Sequence, residues 1–454
     1  MRMIFDLLAF GCFLLILFYF GWRKAAGVES EEAYLMAGRR ISLFPLTATL
    51  VMTELNTATL LAFSSLGYLA GKWALTLPLV FLIGLLFYAL TVAKKWKGFN
   101  GVSVASFFSE RFGKDVGLLA SVALLLAMSG FSAAYVKSLY LLFTPLFPGM
   151  SPWALSSLLA AFVLLMVVRG GLVSIVQTDL FSFVLAMIFF PLLAIFAFKM
   201  HLGAPVEILD AKVLLPPRFI LSLIVLTMFT YILAPWYGQK IFAARSKKTA
   251  YLAVVLSALL VFFLYGLGVV ATWFFRKNGG VAPSADQALP FVINQALPNG
   301  LRGLGYGILF AASATTLSGV WSAMSSLVVG DFLSRKGEKS HRRSMGLTTC
   351  FAITSLLLAN LLEGRVLDKL ILANIPVAAL SFALLAGFYW QKTSRIGVYA
   401  SMLVGWGWAL FSYFYFGETG GYLWYWVMGG IPAIFITGVV FSLIFPNRSA
   451  LVNY

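Results

Sequence analysis

The sequence predicts an all-α polytopic membrane protein with thirteen transmembrane helices, and three observations carry that expectation. Hydrophobic residues make up 61% of the 454 positions and charged residues only 11%, where a soluble chain carries about 25% charged residues; the mean hydropathy is +0.94. Apolar runs recur from Leu7 to Leu443. At about 20 residues per spanning helix they use nearly the whole length and leave too little chain for a soluble catalytic domain. The 40 glycines and 42 phenylalanines suit close helix packing and a lipid-facing surface, whereas the strands of a membrane barrel alternate polar and apolar residues.

The first span, about residues 2–22, resembles a signal peptide in its Met1-Arg2-Met3-Ile4 start, but no Ala-x-Ala site follows and Trp22, Arg23 and Lys24 close it like a membrane anchor. The second, 41–69, is longer than one crossing needs and carries a polar interruption, Thr49-Leu50-Val51-Met52-Thr53-Glu54-Leu55-Asn56-Thr57-Ala58-Thr59. Spans at 72–93, 116–144, 152–169 and 172–198 follow. The seventh, 217–238, ends in Pro235-Trp236-Tyr237-Gly238-Gln239, and the proline leaves an acceptor carbonyl unpaired about a turn earlier. After 249–275 comes 301–330, rich in small and hydroxyl residues, then 344–362, 370–390, 396–416 and 422–445. The longest outer connections, 199–216 and 276–300, are too short for a domain, and turn chemistry from Gly279 to Asp286 precedes a short surface helix.

The formal charge of +17 comes from 33 Lys and Arg against 16 Asp and Glu, and its distribution is that of a topology signal. One side, including Lys94, Lys95, Lys97, Lys240, Arg245, Lys247, Lys248 and Arg335 to Arg343, holds 22 basic residues and the other holds 10. The positive-inside rule makes the first side cytoplasmic, with the N-terminus outside and the C-terminus inside. A plasma membrane location follows, as in a bacterial inner membrane. A nucleic-acid surface would gather these charges on one face with stacking aromatics, and they are spread over short loops, so no nucleic-acid partner is expected. Cys12 and Cys350 lie in apolar runs and form no metal or redox motif.

Three ionisable groups remain deep in spans: Glu54, Lys137 and Asp179. A charge near the bilayer centre costs about 2.5 to 3.5 kcal/mol on insertion scales, so each must face protein, water, an ion or a partner. Glu54 sits in the polar interruption, where a broken helix would expose carbonyls suited to Na⁺; an intact tilted helix with its hydroxyls bonded to neighbours is the alternative. Two interrupted helices five spans apart are what an inverted five-helix repeat predicts, although a kinked packing helix looks the same, and Trp236 and Tyr237 also fit interfacial anchors. In the 301–330 span Thr315, Ser318 and Ser322 draw a hydroxyl stripe on one helix face, which suits either a monovalent cation or small-residue helix packing.

These motifs together resemble the sodium/solute symporter family, which includes the sodium-coupled glucose and proline transporters. The resemblance runs through Tyr34-Leu35-Met36-Ala37-Gly38-Arg39, Gly67-Tyr68, Gly170-Gly171-Leu172 with Thr178-Asp179, Gln239 with Ala243-Ala244-Arg245-Ser246, Ala311-Ala312 with Thr315-Thr316-Leu317-Ser318, Asp331, and Phe388 to Thr393. It implies a five-plus-five inverted-repeat core like that of the bacterial leucine transporter. Residues 1–40 would be an additional N-terminal transmembrane helix and cytoplasmic loop, 41–215 the first repeat with its outer loop, 216–394 the second repeat, and 395–454 two additional C-terminal helices and a tail.

The resemblance implies a sodium site from the carbonyls of Met52, Leu55 and Ala312 and the side-chain oxygens of Thr315 and Thr316. A second sodium site of some members would fall on Asp179, Thr315 and Ser318, with Gly319 lacking the hydroxyl of the full pattern. Glu54 aligns with an asparagine in the sugar-like branch and an aspartate in the proline-like branch, which leans the substrate toward an amino-containing solute. Thr230 stands where the sugar branch has a gating tyrosine, and Gln239-Lys240 replaces the usual Gln-Arg pair. The expected substrate-binding residues are Glu54, Asn56, Thr230 and Lys137, the last for an anionic end of the solute.

The implied function is sodium-coupled symport of a small polar organic solute by a monomer working through alternating access, with Na⁺ as the coupling ion and no enzymatic chemistry. A non-transporting solute sensor of the same fold and proton coupling through Glu54 are the alternatives. A channel fits poorly, because the polar groups cluster at helix breaks and do not ring a pore.

Overall fold

The computed structural model describes residues 2–25, 39–99, 101, 103–167, 171–207, 210–332, 341–361, 364–418 and 421–446. Tyr34 to Gly38 and Gly170 of the motifs, and Arg169, Arg335, Lys336, Lys339 and Arg448 of the basic residues, lie outside these. The principal helices are, in chain order, α1 Arg2–Ala25, α2 Leu43–Glu54, α3 Thr57–Ala70, α4 Pro78–Tyr88, α5 Lys114–Phe143, α6 Pro152–Val167, α7 Gly171–Lys199, α8 Pro217–Tyr231, α9 Pro235–Phe242, α10 Lys247–Lys277, α11 Leu301–Leu327, α12 His341–Leu361, α13 Val366–Ala373, α14 Ser381–Tyr389, α15 Arg395–Phe416 and α16 Tyr422–Ile444.

Among the described residues eight helices are long and apolar enough to cross a membrane, or eleven when each of three bent pairs counts as one span. Two shorter apolar helices, Ile4–Phe20 and Pro152–Met166, fall where the sequence puts its first and fifth spans. The thirteenfold count depends on these two, whose length and apolarity do not fix it.

The helices are arranged around α11, whose most apolar stretch is wholly buried, whereas only a third of that of α16 is. Small residues such as Gly303, Ala311, Ala312, Ser313 and Ala314 suit close helix packing, a Cβ at Gly303 would collide with the Asp6 main chain of α1, and α11 packs on α1, α2, α5 and α7. α10 lies against α2, α3, α4 and α7. α15 and α16 pair mainly with each other at the edge of the bundle.

Two of the bends fall in the interruptions seen in the sequence: α2 to α3 turns by 60° and α8 to α9 by 49°. At the second, Ala234 takes an extended ψ of 109° before Pro235, the first residue of α9. The Ile232 carbonyl, which the break parts from its helical donor, accepts from the Trp96 indole at 2.9 Å. Trp96→Phe is therefore expected to cost about 1–3 kcal/mol, the penalty of an unsatisfied buried acceptor. It should lower the thermal midpoint in detergent well below that of the half-exposed control Trp153→Phe; equal midpoints would show that the bond contributes nothing.

The third bend, 45° between Val366–Ala378 and Ser381–Tyr389, is absent from the sequence reading. Pro376 has no N–H to give, and tighter turns flank it, Asn374 N–H to the Ile371 carbonyl at 3.0 Å and Leu380 N–H to the Val377 carbonyl at 2.9 Å.

The more basic end of the bundle is closed by main chain. Ile41 N–H donates to the Ala243 carbonyl at 3.0 Å and Arg245 N–H to the Ile41 carbonyl at 2.8 Å, so the start of α2 is laced to the segment after α9. Lys97 adds a bond to the Phe242 carbonyl at 2.9 Å, and Arg39 one to the Gly101 carbonyl at 3.1 Å.

Candidate functional site

The α2–α3 break is made by Asn56. In an unbroken helix its N–H would reach the Met52 carbonyl; here it turns to the Glu54 carbonyl at 2.7 Å. The Thr59 N–H, which would otherwise meet the Leu55 carbonyl, is captured by the Asn56 side-chain oxygen at 2.8 Å, an N-cap bond for α3. Asn56 also donates its amide to the Glu54 carbonyl at 3.0 Å. The carbonyls of Met52 and Leu55 are thus both deprived of their helical donors, at two residues that are fully buried.

α11 presents its hydroxyls to this break. The Thr316 hydroxyl donates to the Thr53 carbonyl at 2.9 Å and lies 3.1 Å from the Ala312 carbonyl. Thr315 donates to Asp179 on α7 and keeps acceptor capacity on the same oxygen. Met52, Leu55, Ala312, Thr315 and Thr316 therefore belong to one junction of α2, α3 and α11. Ser318 bonds back to the Thr315 carbonyl at 2.9 Å. Thr57 bridges Ser138 of α5, at 2.7 Å, and Ser313 of α11.

Asp179 is fully buried and paired with Lys240 of α9, Nζ to Oδ2 at 3.2 Å, with Lys240 1% exposed. This corrects the sequence reading, which counts Lys240 among the loop cations; the side it was counted on remains the more basic without it. The ammonium also donates to the Thr49 hydroxyl at 2.8 Å, the Thr49 carbonyl at 3.1 Å and the Thr53 hydroxyl. Thr49 donates in turn to the same Asp179 oxygen.

Glu54 is also fully buried. Its Oε2 accepts from the Tyr231 hydroxyl, and its main-chain carbonyl accepts from the Tyr265 hydroxyl. Its Oε1 has no hydrogen-bond partner among the described residues, and neither has the nearby Tyr88 hydroxyl. Beside the break lies a cavity of about 820 Å³, counting its open mouth, with Asn56, Thr59, Tyr135, Thr230, Tyr231 and Trp236 among its walls. Glu54 is not on that wall; Tyr231 stands between its carboxylate and the space. Thr230 is on it, but its hydroxyl is bonded to the Leu226 carbonyl at 2.9 Å.

Lys137 is not brought to this cavity. Its Nζ donates to the Gly364 carbonyl at 3.1 Å, and its charge, with that of Arg365, acts on the Asp286 carboxyl, which burial nonetheless holds above the usual range. Asp286 and Arg365 line a separate opening of about 920 Å³, counting open space, at the less basic end.

Three participants escape the linear reading, Lys240, Tyr231 and Tyr265, while Thr49 enters it only as the start of the polar interruption. Lys240 had a signal, since it lies between Tyr237 and Ile241-Phe242 and a buried Asp179 requires a cationic or hydrogen-bonding partner. Thr49 and Thr53 are four apart and share a helix face. The two tyrosines carry no such mark.

Comparison with known proteins agrees with this architecture. The model of the sodium:solute symporter family matches residues 34–405. The uncharacterized symporter YidK of Escherichia coli (strain K12) is 23% identical over 448 residues, covering 88% of this chain and 77% of YidK. A solved structure of a Na⁺-coupled sialic acid symporter, in a substrate-bound outward-open state, superposes with a TM-score of 0.79 at 16% identity, covering 98% of this chain and 99% of that one; the likeness is one of fold. With the family model spanning most of its length, this chain belongs to the sodium:solute symporter family.

Proposed function

We propose that this protein performs sodium-coupled secondary active import of a small polar, amino-containing organic solute, by alternating access and as a monomer. Family membership makes Na⁺ the coupling ion. The observation that carries the reading is the diversion by Asn56 of two N–H groups, which leaves the Met52 and Leu55 carbonyls without helical donors at the break that the Thr316 hydroxyl meets through the Thr53 carbonyl at 2.9 Å. Neutral oxygens in that number and density suit a hard monovalent cation at a helix break. A sodium held there ties the break to α11. Its departure lets the two separate, and the neighbouring cavity changes its access.

The amino-group assignment draws support from the orphaned Oε1 of Glu54, an anionic acceptor behind the cavity wall that a rotation of Tyr231 would uncover. The thirteen-span topology with N-terminus outside, the division at 41–215 and 216–394 into repeats, and a bacterial inner-membrane location belong to the same proposal. In sealed proteoliposomes an inward sodium gradient should drive accumulation of a labelled solute selected by thermal-shift screening, since a ligand raises apparent stability. Equal accumulation with potassium replacing sodium would overturn the proposal.

A further inference from the structure

The cation position beside Asp179 is already filled by the protein itself. The Lys240 ammonium has Asp179 Oδ2 at 3.2 Å, the Thr49 hydroxyl at 2.8 Å, the Thr49 carbonyl at 3.1 Å and the Thr53 hydroxyl as partners. That is one carboxylate, two hydroxyls and a main-chain carbonyl, an oxygen set of the kind a bound sodium would use. Four acceptors saturate the three N–H donors of an ammonium. Both charged residues are sealed from solvent, Asp179 at 0% and Lys240 at 1% exposure, and the second carboxylate oxygen is occupied by the Thr315 hydroxyl. Ser318, the remaining member of the second sodium set, turns its hydroxyl to the Thr315 carbonyl.

We infer that Lys240 is a tethered cation standing in for a second sodium at Asp179, so that this chain binds and couples one sodium per cycle. The inference rests on the sodium-symport reading. Unlike a free ion, the ammonium is bound covalently to α9 and joins three elements, α2 through Thr49 and Thr53, α7 through Asp179 and α9 through its own backbone. It neutralises the buried carboxylate without exchanging with either solution. Removing the ammonium while leaving the carboxylate vacates an anionic, oxygen-lined position of the right charge for a small cation, and this converts it to a sodium site.

The test is equilibrium binding of radioactive sodium to the purified full-length protein, counted per molecule. The wild type is expected to bind one sodium, Lys240→Met two, and the double variant Lys240→Met with Asp179→Asn one again, because the vacated position has lost its charge. Two sodiums in the wild type, or one in a folded Lys240→Met, would overturn the inference while leaving sodium symport intact; none in the wild type would overturn the symport reading itself. If Lys240→Met is not recovered folded, the wild-type and double-variant counts decide, and two sodiums in either overturns the inference.

Discussion

Thr316→Ala is expected to raise the sodium concentration needed for half-maximal binding by at least about tenfold, while the yield of folded protein changes little. The hydroxyl lies between the Thr53 and Ala312 carbonyls, so the substitution removes one oxygen from the junction of α2, α3 and α11 with little change in volume. Hydrogen-bonding partners of charged groups contribute about 1.5–3 kcal/mol, and each 1.4 kcal/mol is tenfold in affinity. The Thr53 carbonyl also loses its donor, a cost of about 1–3 kcal/mol that the sodium-free midpoint reads separately from the sodium affinity. Sodium titration of thermal stability checks the outcome. Unchanged sodium affinity in a folded variant would remove Thr316 from the site.

The second large effect is expected at Glu54. Glu54→Gln keeps length and most hydrogen-bonding capacity while removing the anion. If the orphaned Oε1 receives an ammonium, the variant should lose binding of an amino solute by about tenfold or more, the loss of a charge-assisted bond. Binding of that solute's uncharged isostere should change far less, and sodium-dependent stabilisation in solute-free protein should persist. Equal loss of both ligands would exclude recognition of the cation by this residue. A pH gradient driving uptake in the absence of sodium would assign Glu54 to proton coupling instead.

The sequence revealed the two helix breaks where physics leaves a mark in a linear string. Glu54 to Thr59 interrupts an apolar run with groups that need partners, and Pro235 removes an N–H that no neighbour can restore. The break at Asn374 to Leu380 was less legible, because its proline sits near one end of an apolar run and the turn itself falls at Ala379-Leu380. Charge was misread only where position along the chain misled. Lys240 follows a proline near the end of a span, which is where loop cations sit, and only the three-dimensional path of α9 carries it inward to Asp179. Lys137 shows the converse: depth in a span does not place a side chain at the central cavity, and its bond to the Gly364 carbonyl keeps it near the less basic opening. The hydroxyls of Tyr231 and Tyr265 were invisible for a different reason, since an aromatic residue in an apolar run is equally at home in lipid or against a carboxylate.

If Lys240 stands in for a second sodium, the Lys240–Asp179 pair also sets how steep a gradient the protein can build. A charge fixed to the polypeptide is carried back on every return stroke, so it draws no work from the membrane potential. One exchangeable sodium at 100 mV supplies about 2.3 kcal/mol, roughly fortyfold. With a tenfold sodium gradient the ceiling for a neutral solute is about 400-fold accumulation, whereas two sodiums would square that figure. A carrier coupled to one sodium would trade depth of scavenging for thrift, spending a single ion on each molecule recovered, which would suit a solute met at moderate and not vanishing concentration.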